Sequence, residues 1–536
     1  MKRSIALLAF VAFLTGCSKS PLEGDVLYLA LETSPNKLDP ALVIDVAEGQ
    51  ICSLIYQGLV RFSPEGDVVP AAATNWEIEA NGTRYIFHLD PRARFSNGTR
   101  LLAKDVKASF ERVLSPTSNS PRKWVLDRIA GAAEFSRGTS ESIAGLSSPD
   151  DSTIVIELRE PFGPFLQLLA MPAAAIVPTG GGGAPSAAPP VSATAADDSG
   201  GELASRPVGS GKWKLDRWER GDFLELSPNP YHPGEPPRIK RIRYRIIPEA
   251  FTRIAEFEAG TLDILKIPQA ELDRFLGDAS RRDRIQSRPE LRVAYIGLNN
   301  TRGPLKNPAV RRALNLAVDV DRIVDVLTGG HAVRATGAIP PGLPGYVKRE
   351  PYAYAPTEAG RLLRAAGYGD GFEIDIWQRD SPEGNRVVEA VQGYLLELGV
   401  RVRVVKREWS AFKEAVSRGR VDAFFLDWYA DYPNGENFLY PLFHSENAGG
   451  GGNRSFFHNT RVDSLIESAQ RTVDRSTCTE LYETIDGLVY DQAPWIYLFF
   501  PTSFVVVSPR VQGYTYPVLY LGEDFSQIIL SAEGNS

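Results

Sequence analysis

Two rhythms of apolar and polar residues run along this chain. Short apolar runs closed by turn residues predict strands at residues 25–31, 85–89, 153–158 and 421–426. Residues 400–404, Val-Arg-Val-Arg-Val, alternate one by one and predict a half-buried strand. Apolar residues at helical spacing predict helices. Val106, Phe110, Val113 and Leu114 give residues 99–114 one apolar face, and Ser115-Pro116 stops it. Residues 47–59 read as a helix ending near Gly58. Asn307-Pro308 supplies an N-cap and first turn for a helix whose face is Val310, Leu314, Ala317 and Val318. Asp319 caps residues 322–328, which end at Gly329-Gly330; residues 357–366 end at Gly367 and residues 387–398 at Gly399. Strands and helices alternate through this half, which predicts an α/β arrangement.

The pattern differs at two places. The first twenty residues carry Lys2 and Arg3, then the apolar run 5–14, then Leu14-Thr15-Gly16-Cys17. The run is too short for a transmembrane helix, and Leu-Thr-Gly-Cys resembles a bacterial lipobox. Residues 1–16 are therefore expected to be a lipoprotein signal peptide, with lipidation at Cys17, export, and the bulk of the chain in the periplasm or at the cell surface. Residues 180–201 are almost entirely Gly, Ala, Pro, Ser and Thr and predict a low-complexity loop.

Composition narrows the classes. The 536 residues are 43% apolar and 23% charged, ordinary for a globular protein and enough for two or three domains. A formal net charge of −7 gives no electrostatic footprint for nucleic acid. Of three cysteines, Cys52 and Cys478 remain if Cys17 carries lipid; export permits a disulfide, and two buried thiols are the alternative. Neither the quadruple Gly nor Gly209-Ser210-Gly211-Lys212-Trp213 has the Lys-Ser/Thr of a phosphate loop. The five histidines have no ligand spacing, and no G-x-S-x-G or H-E-x-x-H occurs. One stretch stands out, Asp427-Trp428-Tyr429-Ala430-Asp431-Tyr432-Pro433-Asn434-Gly435-Glu436-Asn437-Phe438. Aromatics beside a few acids suit a ligand site, or equally a surface turn whose aromatics enter a core. Asp427 and Asp431 are also a candidate glycosidase pair.

At this stretch the chain resembles the family 5 extracellular solute-binding proteins, the periplasmic oligopeptide/dipeptide-binding components of ABC importers. Further blocks follow the family order: Leu38-Asp39-Pro40, Phe95-Ser96-Asn97-Gly98 with Ala103-Lys104-Asp105-Val106, Val208-Gly209-Ser210-Gly211, Asn229-Pro230-Tyr231, and Val310-Arg311-Arg312-Ala313-Leu314. The resemblance implies an α/β, two-lobed periplasmic-binding-protein fold of the class II or cluster C type, hinged by two strands, with an extra domain in the N-terminal half. Residues 17–60, 201–290 and 501–536 would form lobe I, residues 61–200 the extra domain, and residues 291–500 lobe II. The lobes would close on an extended peptide and deliver it to the permease subunits. Asp431 would bind the peptide's amine, Asp427 and Tyr429 would offer backbone groups, and Trp428 would pack on the ligand. Trp409 would line the pocket, and Ile44, Asp45 and Val46 would face the ligand from the other lobe. The implied protein is a monomer without enzymatic activity or cofactor, on the membrane only through its lipid. Alternatives are a binder of a nickel chelate, haem or sugar, a sensor on the same fold, or a secreted hydrolase using Asp427 and Asp431.

Overall fold

A computed structural model describes residues 24–179 and 202–531; the expectations for Cys17, the signal segment and the low-complexity loop lie outside the described residues. Three larger sheets organise the chain. In the first, strands Val26–Leu31, Arg241–Ile246, Phe223–Pro228 and Trp213–Glu219 lie side by side, the first pair parallel and the others antiparallel. Its core joins Leu27, Leu29, Leu224, Ile242 and Tyr244 to Val505, Val507 and Phe525 from the end of the chain. The second sheet has eight strands, with Ile264–Lys266, Trp495–Val507, Arg292–Leu298, Ala423–Tyr429, Phe372–Arg379 and Val400–Arg407 along its main path. Helices cover both faces. Pro308–Ala317, Val320–Thr328 and Pro382–Leu396 pack on one, and Glu436–Phe443, Thr460–Arg471 and Arg475–Gln492 on the other. Burial on both faces explains why Arg292–Leu298 is buried at all seven positions. The third sheet, Ala73–Glu79, Arg84–Leu89, Thr153–Glu157 and Leu146–Ser147, is antiparallel and packs on helix Ala103–Leu114.

Two lobes are joined by two strands. Trp495–Val507 is thirteen residues long. Its first half pairs with Arg292–Leu298 in one lobe, and its second half pairs with Ile264–Lys266 and Ile285–Pro289. Burial drops between the halves, at Pro501 and Thr502. Pro289 faces Thr502 across the ladder and the Glu290 N–H donates to the Pro501 carbonyl at 2.8 Å. A narrow two-stranded waist between two packed cores is a hinge geometry.

Most expected elements are present, with informative shifts. The helix expected over 99–114 begins at Ala103, because the Asp105 carboxylate takes the Leu102 N–H at 2.8 Å and fixes its start. The helix expected at 387 starts five residues earlier, at Pro382 behind the Ser381 cap. The helix expected to end near Gly58 stops at Ile55. The backbone of that last turn lies against Gly209 and Gly211: a Cβ on Gly209 would sit 2.1 Å from the Ile55 carbonyl oxygen. The glycine run is thus a packing device. Cys52 and Cys478 are separate buried thiols, which settles the disulfide alternative.

Candidate functional site

Three segments meet at the cleft between the lobes. The first is the loop after the Val26–Leu31 strand. Asp39 caps the short turn Pro40–Leu42 through the Ala41 N–H and pairs with Arg112. The chain is then extended through Val43 and Asp45. The Asp45 carboxylate takes the Glu48 N–H at 2.9 Å and starts helix Val46–Ile55. Asp45, expected to face a ligand, therefore has a capping role. Ile44 and Val46 on either side are 64% and 58% exposed. Both are large apolar side chains left in water by the extended loop.

The second segment is the strand Ala423–Tyr429. The sequence pattern placed its end at residue 426, with Asp427, Trp428 and Tyr429 in a loop. They lie on the strand, because Arg292–Leu298 pairs with it at every position, Arg292 opposite Tyr429. Along its other edge the ladder covers only Ala423 and Phe424, which face Ile376 and Trp377. From Phe425 to Tyr429 that edge has no strand neighbour among the described residues. Such an edge is a template for another extended chain.

The third segment follows at once. The Trp428 indole donates to the Asn437 carbonyl at 2.9 Å, and the Asn437 side-chain oxygen accepts the Asp431 N–H at 2.9 Å. These bonds clamp the turn between them. Asn434, Gly435 and Glu436 are buried, so the turn is interior and not at the surface, while Tyr432 and Phe438 enter the cores as the alternative expected of its aromatics. The Asp431 carboxylate is 35% exposed. Arg122, from the segment after helix Ala103–Leu114, donates Nη1 to its Oδ1 at 3.0 Å and Nε to the Val43 carbonyl at 3.3 Å. One arginine therefore joins the loop preceding Ile44 to Asp431. Tyr520 lies in the same field: burial pushes its hydroxyl up to about 12, with Arg122 opposing and Asp431 and Asp45 adding.

Asp427 has a different setting. It belongs to a cluster around buried Arg292, which donates Nε to Asp427 (3.2 Å), Nη1 to the Tyr429 hydroxyl (2.8 Å) and Nη2 to Glu383 (2.9 Å), with Glu290 at 3.5 Å. Burial works against the charge on Arg292, but Asp427, Tyr429, Glu383 and Glu290 outweigh it and raise its pKa. Burial also raises the Asp427 pKa, with Arg292 opposing. Asp427 and Asp431 are thus each engaged by a different arginine. Trp409 is not a core residue: it is 39% exposed, stacks on Phe412 at 5.7 Å between centroids, and has Arg379 and Lys413 over its ring. Its link to the cluster runs through Arg379, which acts electrostatically on Asp427.

Arg122, Arg292, Glu383, Arg379 and Tyr520 were not singled out in the sequence. Arg292 had a legible signal, as a charge opening the apolar run Val293–Leu298. Arg122 had none, because its partner is 309 residues away.

The chain is similar to known proteins over most of its length. Residues 67–450 match bacterial extracellular solute-binding proteins, family 5, middle. The chain is 29% identical to a probable D,D-dipeptide-binding periplasmic protein of Escherichia coli, covering 96% of this chain and 97% of that one. It is 30% identical to haem-binding protein A of Haemophilus influenzae, covering 90% and 88%. Among solved structures, an ABC transporter-associated periplasmic binding protein of Helicobacter pylori, in complex with the peptide STSA, superposes with a TM-score of 0.74 at 27% identity, covering 94% of this chain and 98% of that one.

Proposed function

Because the chain belongs to the family 5 bacterial extracellular solute-binding proteins, we propose that it is the substrate-binding component of an ABC importer and closes its two lobes on an extended peptide. The observation that carries this reading is the unpaired edge of residues 425–429 running into Asp431. A peptide laid along that edge would gain backbone hydrogen bonds at Asp427 and Tyr429 that ignore its side chains. Its amine would meet the Asp431 carboxylate at the end of the edge, while Ile44 and Val46 close on it from the other lobe. Trp428 and Trp409 would flank the ligand. In this reading residues 17–60, 201–290 and 501–536 form lobe I, residues 61–200 the extra domain and residues 291–500 lobe II.

The protein would act as a monomer without catalysis and pass its ligand to the permease subunits. The Leu14–Cys17 pattern supports a lipid anchor at Cys17 on the periplasmic or outer surface, and no helix among the described residues is long and apolar enough to cross a membrane. Labelling cells with a radioactive fatty acid should mark the wild-type chain and leave Cys17→Ser unmarked.

Native mass spectrometry of the protein expressed from residue 18, followed by mild denaturation, tests the ligand. A ladder of short peptides is expected. A single non-peptide mass would move the protein to the haem, nickel-chelate or sugar binders of this fold. An empty protein that ignores a peptide library would sink the peptide reading and favour a sensor.

A further inference from the structure

The extra domain holds the two lobes unequally. With lobe I it shares a core, in which Ala41, Leu59 and Leu521 pack among its own side chains. Backbone bonds reinforce that core: the Ile176 N–H donates to the Gln57 carbonyl and the Ser96 N–H to the Gly209 carbonyl, both at 2.8 Å. Lobe II meets the same domain beyond Asp431 through one ring and one short segment. The ring is Tyr432, 4% exposed in that core and 6.4 Å from Trp124 between centroids. The segment is 470–473, at the junction of helices Thr460–Arg471 and Arg475–Gln492. The Gly163 N–H donates to the Gln470 carbonyl at 2.8 Å, Arg471 pairs with Glu160 at 3.0 Å, and Val473 lies against Gly82. A Cβ on Gly163 would sit 2.6 Å from the Thr472 carbonyl oxygen. The φ of Gly163 is not positive, so its own backbone does not call for glycine; the close approach of lobe II does.

The segment is also linked to the ligand stretch. Gln470 donates Nε2 to the buried Glu436 carboxylate at 2.7 Å, and the Tyr432 hydroxyl donates to the other oxygen of that carboxylate. Tyr432 directly follows Asp431. Contacts so few, set across a two-stranded hinge, part when lobe II swings away, while the shared core keeps the extra domain on lobe I. We propose that Tyr432 and residues 470–473 form a clasp that docks on the extra domain only when the lobes close, and that this docking sets how long a ligand is held. Gly163 and Tyr432 are then positioning residues, which act on the ligand through closure without touching it. The inference rests on the two-lobe closure proposed for this chain and gives the extra domain its part in it.

Two variants of the protein expressed from residue 18, freed of ligand by denaturation and refolding, test the clasp. Gly163→Ala puts a methyl group into the docked interface. Dissociation of trialanine, followed by surface plasmon resonance, should be about tenfold faster with little change in association. The unfolding midpoint of the ligand-free variant should match wild type. An unchanged dissociation rate would overturn the inference, and so would a lowered midpoint, because the contact would then be permanent. The pair Gly82→Cys and Val473→Cys needs no ligand. Its two Cβ atoms would lie 3.5 Å apart, within disulfide range, and the native Cys52 and Cys478 are buried. X-ray scattering of the ligand-free pair should give a smaller radius of gyration oxidised than reduced. No cross-link, or equal radii, would overturn the clasp and leave peptide binding standing. If trialanine does not bind, the peptide reading falls, and the cysteine pair alone decides the clasp.

Discussion

Asp427 and Asp431 lie four residues apart in one aromatic stretch, and each meets an arginine, yet the two pairs are built for different ends. Asp427 meets Arg292 beside the hinge, where the guanidinium is buried and surrounded by Asp427, Glu383 and the Tyr429 hydroxyl, with Glu290 from the adjoining strand. Asp431 meets Arg122 across the cleft, with both side chains partly wet and one atom of each unspent. A buried charge surrounded by fixed partners serves the fold. A partly exposed charge with spare bonding capacity suits the ligand contact proposed for Asp431. The motif alone does not distinguish them, because both read as an acid among aromatics.

The comparison breaks most sharply on stability. Arg292→Ala leaves Asp427 largely buried and without the cation that faces it, while Glu290 keeps Lys266 at 3.2 Å, and should cost about 3–5 kcal/mol, read as a lower urea midpoint. Arg122→Ala removes a partly exposed pair and should cost about 1 kcal/mol or less. Similar losses from both would mean that the Arg122 pair is structural too. Binding should show the reverse order. Asp431→Asn should weaken a bound peptide roughly a hundredfold in calorimetry, because it strips a charge partner from an amine taken out of water. The same change should leave the unfolding midpoint nearly unmoved.

The architecture was legible because hydrophobic periodicity reports burial. The Val310, Leu314, Ala317 and Val318 face is buried as its spacing implies, and the caps at Asn307 and Asp319 hold the expected N–H groups. Residues 427–429 were misread as loop because strand ends are set by the partner strand, here Arg292–Leu298, and not by local composition. The position of Asp431 was readable from its motif. Its pairing was not, because Arg122 comes from a segment with no periodic signal and reaches Asp431 only through the fold.

Glu523 extends the comparison to a buried acid with no arginine. Its carboxylate accepts from Gln50 and, at 3.3 Å, from the Tyr514 hydroxyl. Burial pushes its pKa from 4.5 up to about 7, with those two bonds opposing. The folded-state value lies above the unfolded one, so the protonated group's stabilisation is complete below about pH 4.5 and lost as pH rises through about 7. Glu523→Gln should therefore flatten the stability profile over that window. At pH 8 it should raise stability by up to about 3 kcal/mol, since each pKa unit is worth about 1.4 kcal/mol. A variant no more stable than wild type at pH 8 would show that the ionised group is better solvated than its burial indicates.

The smallest effect separates the side chain of Tyr429 from its backbone. The hydroxyl accepts from Arg292 at 2.8 Å and the guanidinium lies 5.2 Å from the ring centroid, although the ring itself is 58% exposed. Tyr429→Phe removes the hydrogen bond and keeps the ring. Arg292 retains Asp427, Glu383 and Glu290, so the expected loss of stability is about 1 kcal/mol. Peptide affinity should not change, because the proposed contacts at this position are the N–H and C=O of the unpaired edge. A tenfold loss of affinity in calorimetry, at unchanged stability, would show that the phenol touches the ligand. Tyr429 would then belong with Asp431, in the half of the stretch that serves binding, and the division between the two aspartates would fall before Tyr429 instead of after it.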